Sequence, residues 1–327
     1  MGLNNLNLPV ELLDHIISFT IPDLDYLAYP ASHPTTKALS ALCMVSKATN
    51  RTAKILLYTH CLYIDKPWRL DLLLTESFSQ SDFPIPVSRI QSLYLSPLSG
   101  DTIRERKIVP QIVELFTLLG PSLKRLLIDM PLRFHYPEPE DINDELRPIL
   151  RRGFEQLVHL EEFCSITDEL YLAYWDPVMY QQAHDDEIDD FIFKNWPELR
   201  RLALYNQTLD PDFISALARM PNLEKVVLPI LPRPDYELDE IAWSSDMAFL
   251  FGDRIQFTVV NITDKPTEAG IRSLRCTIES SGVQSDTWKY NLLKGDDIDE
   301  LSAVQDWSLQ CVLNGSLWSL PDGLDSH

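Results

Sequence analysis

The sequence predicts an α/β protein: a small N-terminal helical unit followed by a repeating strand–helix solenoid. Three observations carry that expectation. Apolar residues in the first sixty positions recur at helical spacing. An apolar-x-x-apolar-x-apolar pattern then returns at least four times. The stretches between its copies read as helices. Units of this kind cannot each bury their own apolar face, so neighbours stack into one continuous core. A doubly wound parallel sheet shares the strand–helix alternation and is the alternative, although self-similar strands are not expected of it. The expected organisation is a helical module over 1–60, a solenoid over 61–290, and a capping helix and tail over 291–327.

The first element spans Leu8-Pro9-Val10-Glu11-Leu12-Leu13-Asp14-His15-Ile16-Ile17-Ser18-Phe19. Pro9 suits the first helical position, where its missing N–H costs nothing. Leu12, Leu13, Ile16 and Ile17 then form a narrow apolar stripe. A second helix is expected over Ala38–Lys47, apolar around most of its circumference. A third, short one runs over Ala53–Tyr58. A unit this small buries only about 60% of its unfolded surface. The rest of its apolar area must be covered by the remaining chain or by another protein.

The spacing of these pieces resembles the F-box, the helical module by which substrate receptors dock onto the Skp-type adaptor of cullin–RING ubiquitin ligases. The matching residues are Leu-Pro-x-Glu-Leu-Leu at 8–13, Ile16-Ile17, Val45-Ser46-Lys47 and Leu56-Leu57-Tyr58. The resemblance covers under a fifth of the chain, and it departs from the family in two places. The gap from Thr20 to Thr36, with Pro22, Pro30 and Pro34, exceeds the usual short turn, and Thr49 stands where the family commonly has a bulky aromatic. Lengthening a surface loop costs little entropy. The resemblance implies that Leu8, Pro9, Leu12, Leu13, Ile16, Ile17, Leu42, Val45, Leu57 and Tyr58 divide between the module's core and an adaptor interface.

Beyond the module the strand pattern appears at Ile90-x-x-Leu93-x-Leu95, Leu123-x-x-Leu126-x-Ile128, Leu199-x-x-Leu202-x-Leu204 and Leu223-x-x-Val226-x-Leu228. Leu160-x-x-Phe163 is a looser copy and Ile271-x-x-Leu274-x-Cys276 a possible one. Central positions 93, 126, 163, 202 and 226 are 33, 37, 39 and 24 residues apart. Helices are expected at Thr102–Leu119, Asp141–Leu157, Glu187–Trp196 and Pro211–Met220. Acidic starts suit two of these, and the Asp210-Pro211 pair suits the last. Farther on, Asp253–Asn261 and Ser273–Glu279 read as strands, Asp296–Trp307 as a helix and Leu317–His327 as a tail. The whole resembles irregular leucine-rich repeats, with unequal unit lengths and no Asn at the usual turn position.

Composition narrows the function classes. The 327 residues are 45% hydrophobic and 24% charged, as in ordinary globular proteins, with 10 glycines against 23 prolines. A net charge of −21 disfavours nucleic acid and acidic membrane surfaces as partners. Cys43, Cys61, Cys164, Cys276 and Cys311 are odd in number and scattered, forming neither a disulfide framework nor a metal pattern. No secretory signal and no membrane-length apolar run is evident, so an intracellular chain is expected, cytoplasmic or nuclear.

No catalytic pattern emerges. There is no Gly-rich phosphate loop and no G-x-S-x-G elbow, and the seven histidines are isolated. The acidic run His184–Asp190 lacks the glycine and alternating ligands of a calcium loop, and reads as a solvated helix start. No cofactor or metal is expected, and no enzyme activity in this chain alone.

In a solenoid of this kind, alternate strand residues line the concave face. That face would carry Tyr94, Leu127, Cys164, Ala203 and Val227, flanked by Arg125, Arg201 and Lys225 on one side and Asp129 and Tyr205 on the other. An apolar stripe with charged margins suits a protein substrate, so Tyr94, Arg125, Leu127, Asp129, Arg201, Tyr205 and Lys225 are the candidate substrate contacts. The competing expectation is that the C-terminal segment folds across this stripe, or that both sheet faces are buried. Taken with the resemblance, the expected role is a substrate-recognition subunit, joined through the adaptor to a cullin. The alternatives are a non-catalytic repeat scaffold and a cryptic hydrolase or transferase on an α/β sheet.

Overall fold

The computed structural model describes residues 9–23, 25–77, 87–98, 106–132, 146–167, 170, 172, 191–207, 211–229, 255–261, 285–289 and 300–319. Three helices open the chain: α1 (Val10–Ser18), α2 (Pro34–Leu42) and α3 (Lys47–His60). Ser46 caps α3 through a reciprocal pair. Its Oγ accepts the Thr49 N–H at 3.2 Å, while its own N–H donates to Thr49 Oγ1 at 3.0 Å. The helix therefore begins six residues earlier than its apolar pattern suggests.

Eight described strands form one parallel sheet: β1 (Tyr63–Ile64), β2 (Ser92–Leu95), β3 (Arg125–Ile128), β4 (Glu162–Ser165), β5 (Arg201–Leu204), β6 (Lys225–Leu228), β7 (Gln256–Asn261) and β8 (Ser285–Lys289). Each pairs with the strand before it in the chain. The order never reverses, so the sheet has no switch point of the doubly wound kind. The self-similar positions are also register partners: Leu93, Leu126, Phe163, Leu202 and Val226 lie side by side.

Those residues turn one sheet face toward a helical layer. The layer holds α4 (Pro67–Leu72), α5 (Ile108–Leu119), α6 (Leu146–Phe154), a 3₁₀ turn at Ile192–Asn195, and α7 (Pro211–Ala218). Their apolar sides and the inward strand residues make one continuous core. Phe154 is central to it, edge-on to Phe116 at 4.9 Å and to Phe163 at 6.2 Å, and its carbonyl accepts the Trp196 indole N–H at 2.9 Å. The segment expected as a helix to Trp196 contains that 3₁₀ turn in its described part. Ser273–Glu279, its neighbouring pattern at 271–276 and Leu8 lie outside the described residues.

The opposite sheet face is also covered. The last helix, α8 (Glu300–Leu313), and a 3₁₀ turn at Ser316–Ser319 lay Val312, Leu313 and Leu317 against Tyr94, Leu127, Cys164, Ala203 and Val227. Leu317 is fully buried, so the chain is still packed where a tail was expected to begin. Leu27 and Ala28, from the long segment between α1 and α2, complete this second core. Part of that segment is therefore core and not solvated loop. Tyr29 is buried, stacks on Tyr26 with ring centroids 4.3 Å apart, and donates its N–H to the His60 carbonyl at 2.8 Å.

Candidate functional site

Two surfaces can be weighed as sites: the outer side of the helical module and the concave face of the sheet. The module's interior is thin. Ile17, Leu39 and Ala53 are its buried centre, with Leu13, Leu42 and Leu57 half-buried around them. Asp14 accepts a hydrogen bond from Thr52 Oγ1, tying α1 to α3. Tyr58 points instead to the sheet's main core.

What the module does not bury is apolar. Leu12 is 51% exposed, Ile16 55% and Phe19 72%, and their spacing sets all three on one side of α1. The turn between α2 and α3 exposes Met44 by 87% and Val45 by 70%. Pro9, at the start of α1, is exposed as well. Of the residues that the sequence singles out for adaptor binding, Pro9, Leu12, Ile16 and Val45 are therefore on the surface. Ile17 is only 1% exposed and belongs to the core. Phe19 and Met44 were not anticipated as contacts; continuing the Leu12–Ile16 row by three residues would have found Phe19. Thr49 is buried and spent on the α3 cap, which accounts for a small hydroxyl residue at that position.

The concave residues are placed differently: they do not line an open groove, and of the two expectations the structure meets the one in which the C-terminal segment folds across the stripe. Tyr94, Leu127, Tyr205 and Lys225 are buried. Their polar neighbours are occupied within the chain. Arg125 donates from Nε to Ser92 Oγ at 2.8 Å, and its guanidinium reaches the carbonyls of Asp25 at 2.9 Å and Tyr26 at 3.4 Å. Arg201 pairs with Glu162 at 2.7 Å. Lys225 Nζ donates to the Trp318 carbonyl at 3.1 Å. Asp129 accepts from Tyr94 Oη at 3.1 Å, from Ser96 Oγ at 3.3 Å, and from Thr167 Oγ1. The physical reason is that two-face burial suits a parallel sheet, and α8 with residues 26–28 supplies the second cover.

The electrostatics follow from that burial. Burial pushes the Glu162 carboxyl up against the opposing pull of Arg201 and Arg125. It also raises the Tyr94 phenol, helped by the Asp129 charge. The Cys164 thiol is raised by burial alone, which leaves it protonated and unsuited to nucleophilic work. His60, at the end of α3, is held below its ordinary value by burial and by the Arg125 guanidinium. Among the described residues no group of His, Cys, Asp and Glu could hold a metal ion, and no helix is long and apolar enough to cross a membrane. Comparison with protein-family models, with curated proteins and with solved structures found no match to this chain.

Proposed function

We propose that this chain is a substrate-recognition subunit of a cullin–RING ubiquitin ligase, with an F-box-like module carried on an irregular leucine-rich-repeat-like solenoid. The observation that carries the reading is the exposed apolar side of the helical module, formed by Leu12, Ile16 and Phe19 on α1 and by Met44 and Val45 on the following turn. Several large side chains grouped on one side of a small helical unit form a surface that a partner can cover. A Skp-type adaptor offers such a cover, and a cullin would then be recruited through it. The chain's part is positional: tethering a protein substrate near charged ubiquitin raises its effective concentration to the order of millimolar. The bonds would be made by other subunits.

The test is binding of the full chain to purified Skp-type adaptor by titration calorimetry. Leu12→Asp and Ile16→Asp are expected to weaken binding by at least about tenfold while leaving the melting temperature unchanged, since both side chains already face water. Equal binding by wild type and variants, or none by either, overturns the reading.

A second reading has one observation in its favour. Tyr26–Tyr29 bind the module to the sheet and to α8, as they would in a scaffold whose N-terminal helices serve only as an end cap. Absence of adaptor binding together with an intact fold would select it.

A further inference from the structure

We propose that Asn314 is a site of spontaneous covalent modification in the folded protein. Its side-chain amide is converted to isoaspartate and aspartate, and the isoaspartate loosens the turn that closes the second core. Asn314-Gly315 is the one Asn-Gly step in the sequence. Asn50, Asn195, Asn206, Asn222 and Asn261 are followed by Arg, Trp, Gln, Leu and Ile, whose side chains crowd their own backbone nitrogens. Gly315 has no such side chain. The fold needs it for a separate reason: its φ of +78° is the left-handed conformation that ends α8.

The geometry around the pair favours attack. Ser316 donates its N–H to Asn314 Oδ1 at 2.8 Å, closing an Asx turn. The ring so formed holds the Asn314 amide carbon near the intervening Gly315 nitrogen. The same hydrogen bond draws electrons from the side-chain carbonyl, as an oxyanion donor does. Asn314 and Ser316 are both exposed, so solvent reaches the site. One contact opposes the reaction: Gly315 donates its N–H to the Val312 carbonyl at 3.2 Å. That bond is at the long end of its range and in a helix end, where fraying releases it.

Water is the only co-reactant. Solvent base takes the Gly315 amide proton, and the nitrogen bonds to Asn314 Cγ. The Cγ–Nδ2 bond then breaks, and the side-chain nitrogen takes up a proton and leaves as ammonia. Water adds to the cyclic imide and opens either of its ring C–N bonds. One opening restores the main chain as aspartate; the other routes it through Cγ as isoaspartate. Isoaspartate places an extra methylene in the chain between α8 and the turn at Ser316–Ser319. That turn depends on spacing, because Leu317 is fully buried and the Trp318 carbonyl accepts from Lys225 Nζ at 3.1 Å. The product also adds a negative charge where Gly315 lies against Asp25. None of this depends on adaptor docking.

The test is to age the full chain in neutral buffer at physiological temperature and follow each asparagine by mass spectrometry of a digest, with fragmentation that separates isoaspartate from aspartate. Asn314 is expected to lose its amide at least about tenfold faster than Asn50, Asn195 and Asn222. Loss at their pace overturns the proposal. So does a native chain that keeps the Asn314 amide at least about tenfold longer than the urea-unfolded chain, because the turn would then protect it. The second measurement is hydrogen exchange of the aged chain, purified by its added charge, against fresh wild type and aged Asn314→Gln. Amides of residues 316–319 are expected to exchange at least about tenfold faster in the isoaspartate form, and to stay slow in Asn314→Gln. Equal exchange in aged and fresh wild type, or faster exchange in aged Asn314→Gln as well, overturns the claim that this site loosens the turn.

Discussion

The helical module and the sheet body treat their apolar residues in opposite ways. In the body, alternate residues of each central strand go to opposite faces, and both faces are covered: one by α5 to α7, the other by α8 and residues 26–28. In the module, three side chains are fully enclosed and several larger ones stay wet. The difference follows from geometry. A sheet that grows by stacking offers each strand two neighbours and two covering layers. A bundle of three short helices has too little interior to hide what its sequence carries. Enclosed apolar residues of the body are therefore expected to govern stability, whereas those on the outside of the module are expected to matter little to it.

The sharpest way to break this contrast is to remove volume where the body is densest. Phe154→Ala should cost about 3–5 kcal/mol, read from urea unfolding, since it empties a site bordered by Phe116, Phe163 and Trp196. A loss under about 1 kcal/mol would mean that the helical layer is not packed as described.

The neighbouring pair Ile16 and Ile17 sharpens the contrast inside the module. Ile17→Ala should lower stability by about 2 kcal/mol or more, while Ile16→Ala should stay within about 0.5 kcal/mol. Equal losses in the two variants would show that the flank is already covered.

The smallest effect concerns pH, at the joint between the two regions. His60 has a depressed value in the folded state, so below its ordinary 6.5 the unfolded chain takes up a proton that the folded chain resists. Its contribution is full above that pH and is lost as pH falls toward the folded value. Melting temperature should therefore drop more steeply between pH 7 and pH 5 in wild type than in His60→Gln. Identical slopes would remove His60 from the account.

Much of the body was legible in the sequence because parallel strands buried on both faces must read as short apolar runs, and those runs became register partners in the sheet. The outward side of α1 was legible for a similar reason, since Leu12 and Ile16 fall one turn apart. The cover on the concave face was legible only as one of two competing expectations. The groove side of α8 alternates Ser308 with Val312 and Leu313, a row too polar to advertise burial, and three prolines made residues 20–36 look like solvated loop. The concave candidates were correctly grouped on one side of the sheet, but sequence spacing says nothing about what a distant segment later lays over them. Neither did it reveal β1, which is only two residues long, or the Ser46–Thr49 cap that lengthens α3.

The hydrogen bond from Leu27 to Leu313 joins points nearly a whole chain apart. During synthesis the backbone N–H of Leu27 waits for Leu313, which is added 286 residues later. The stacked strands can assemble as they appear, each needing only its predecessor, whereas this closure has to wait for α8. Until then the nascent protein carries an open hydrophobic trough, and a chain truncated by nonsense or proteolysis before α8 would keep it permanently.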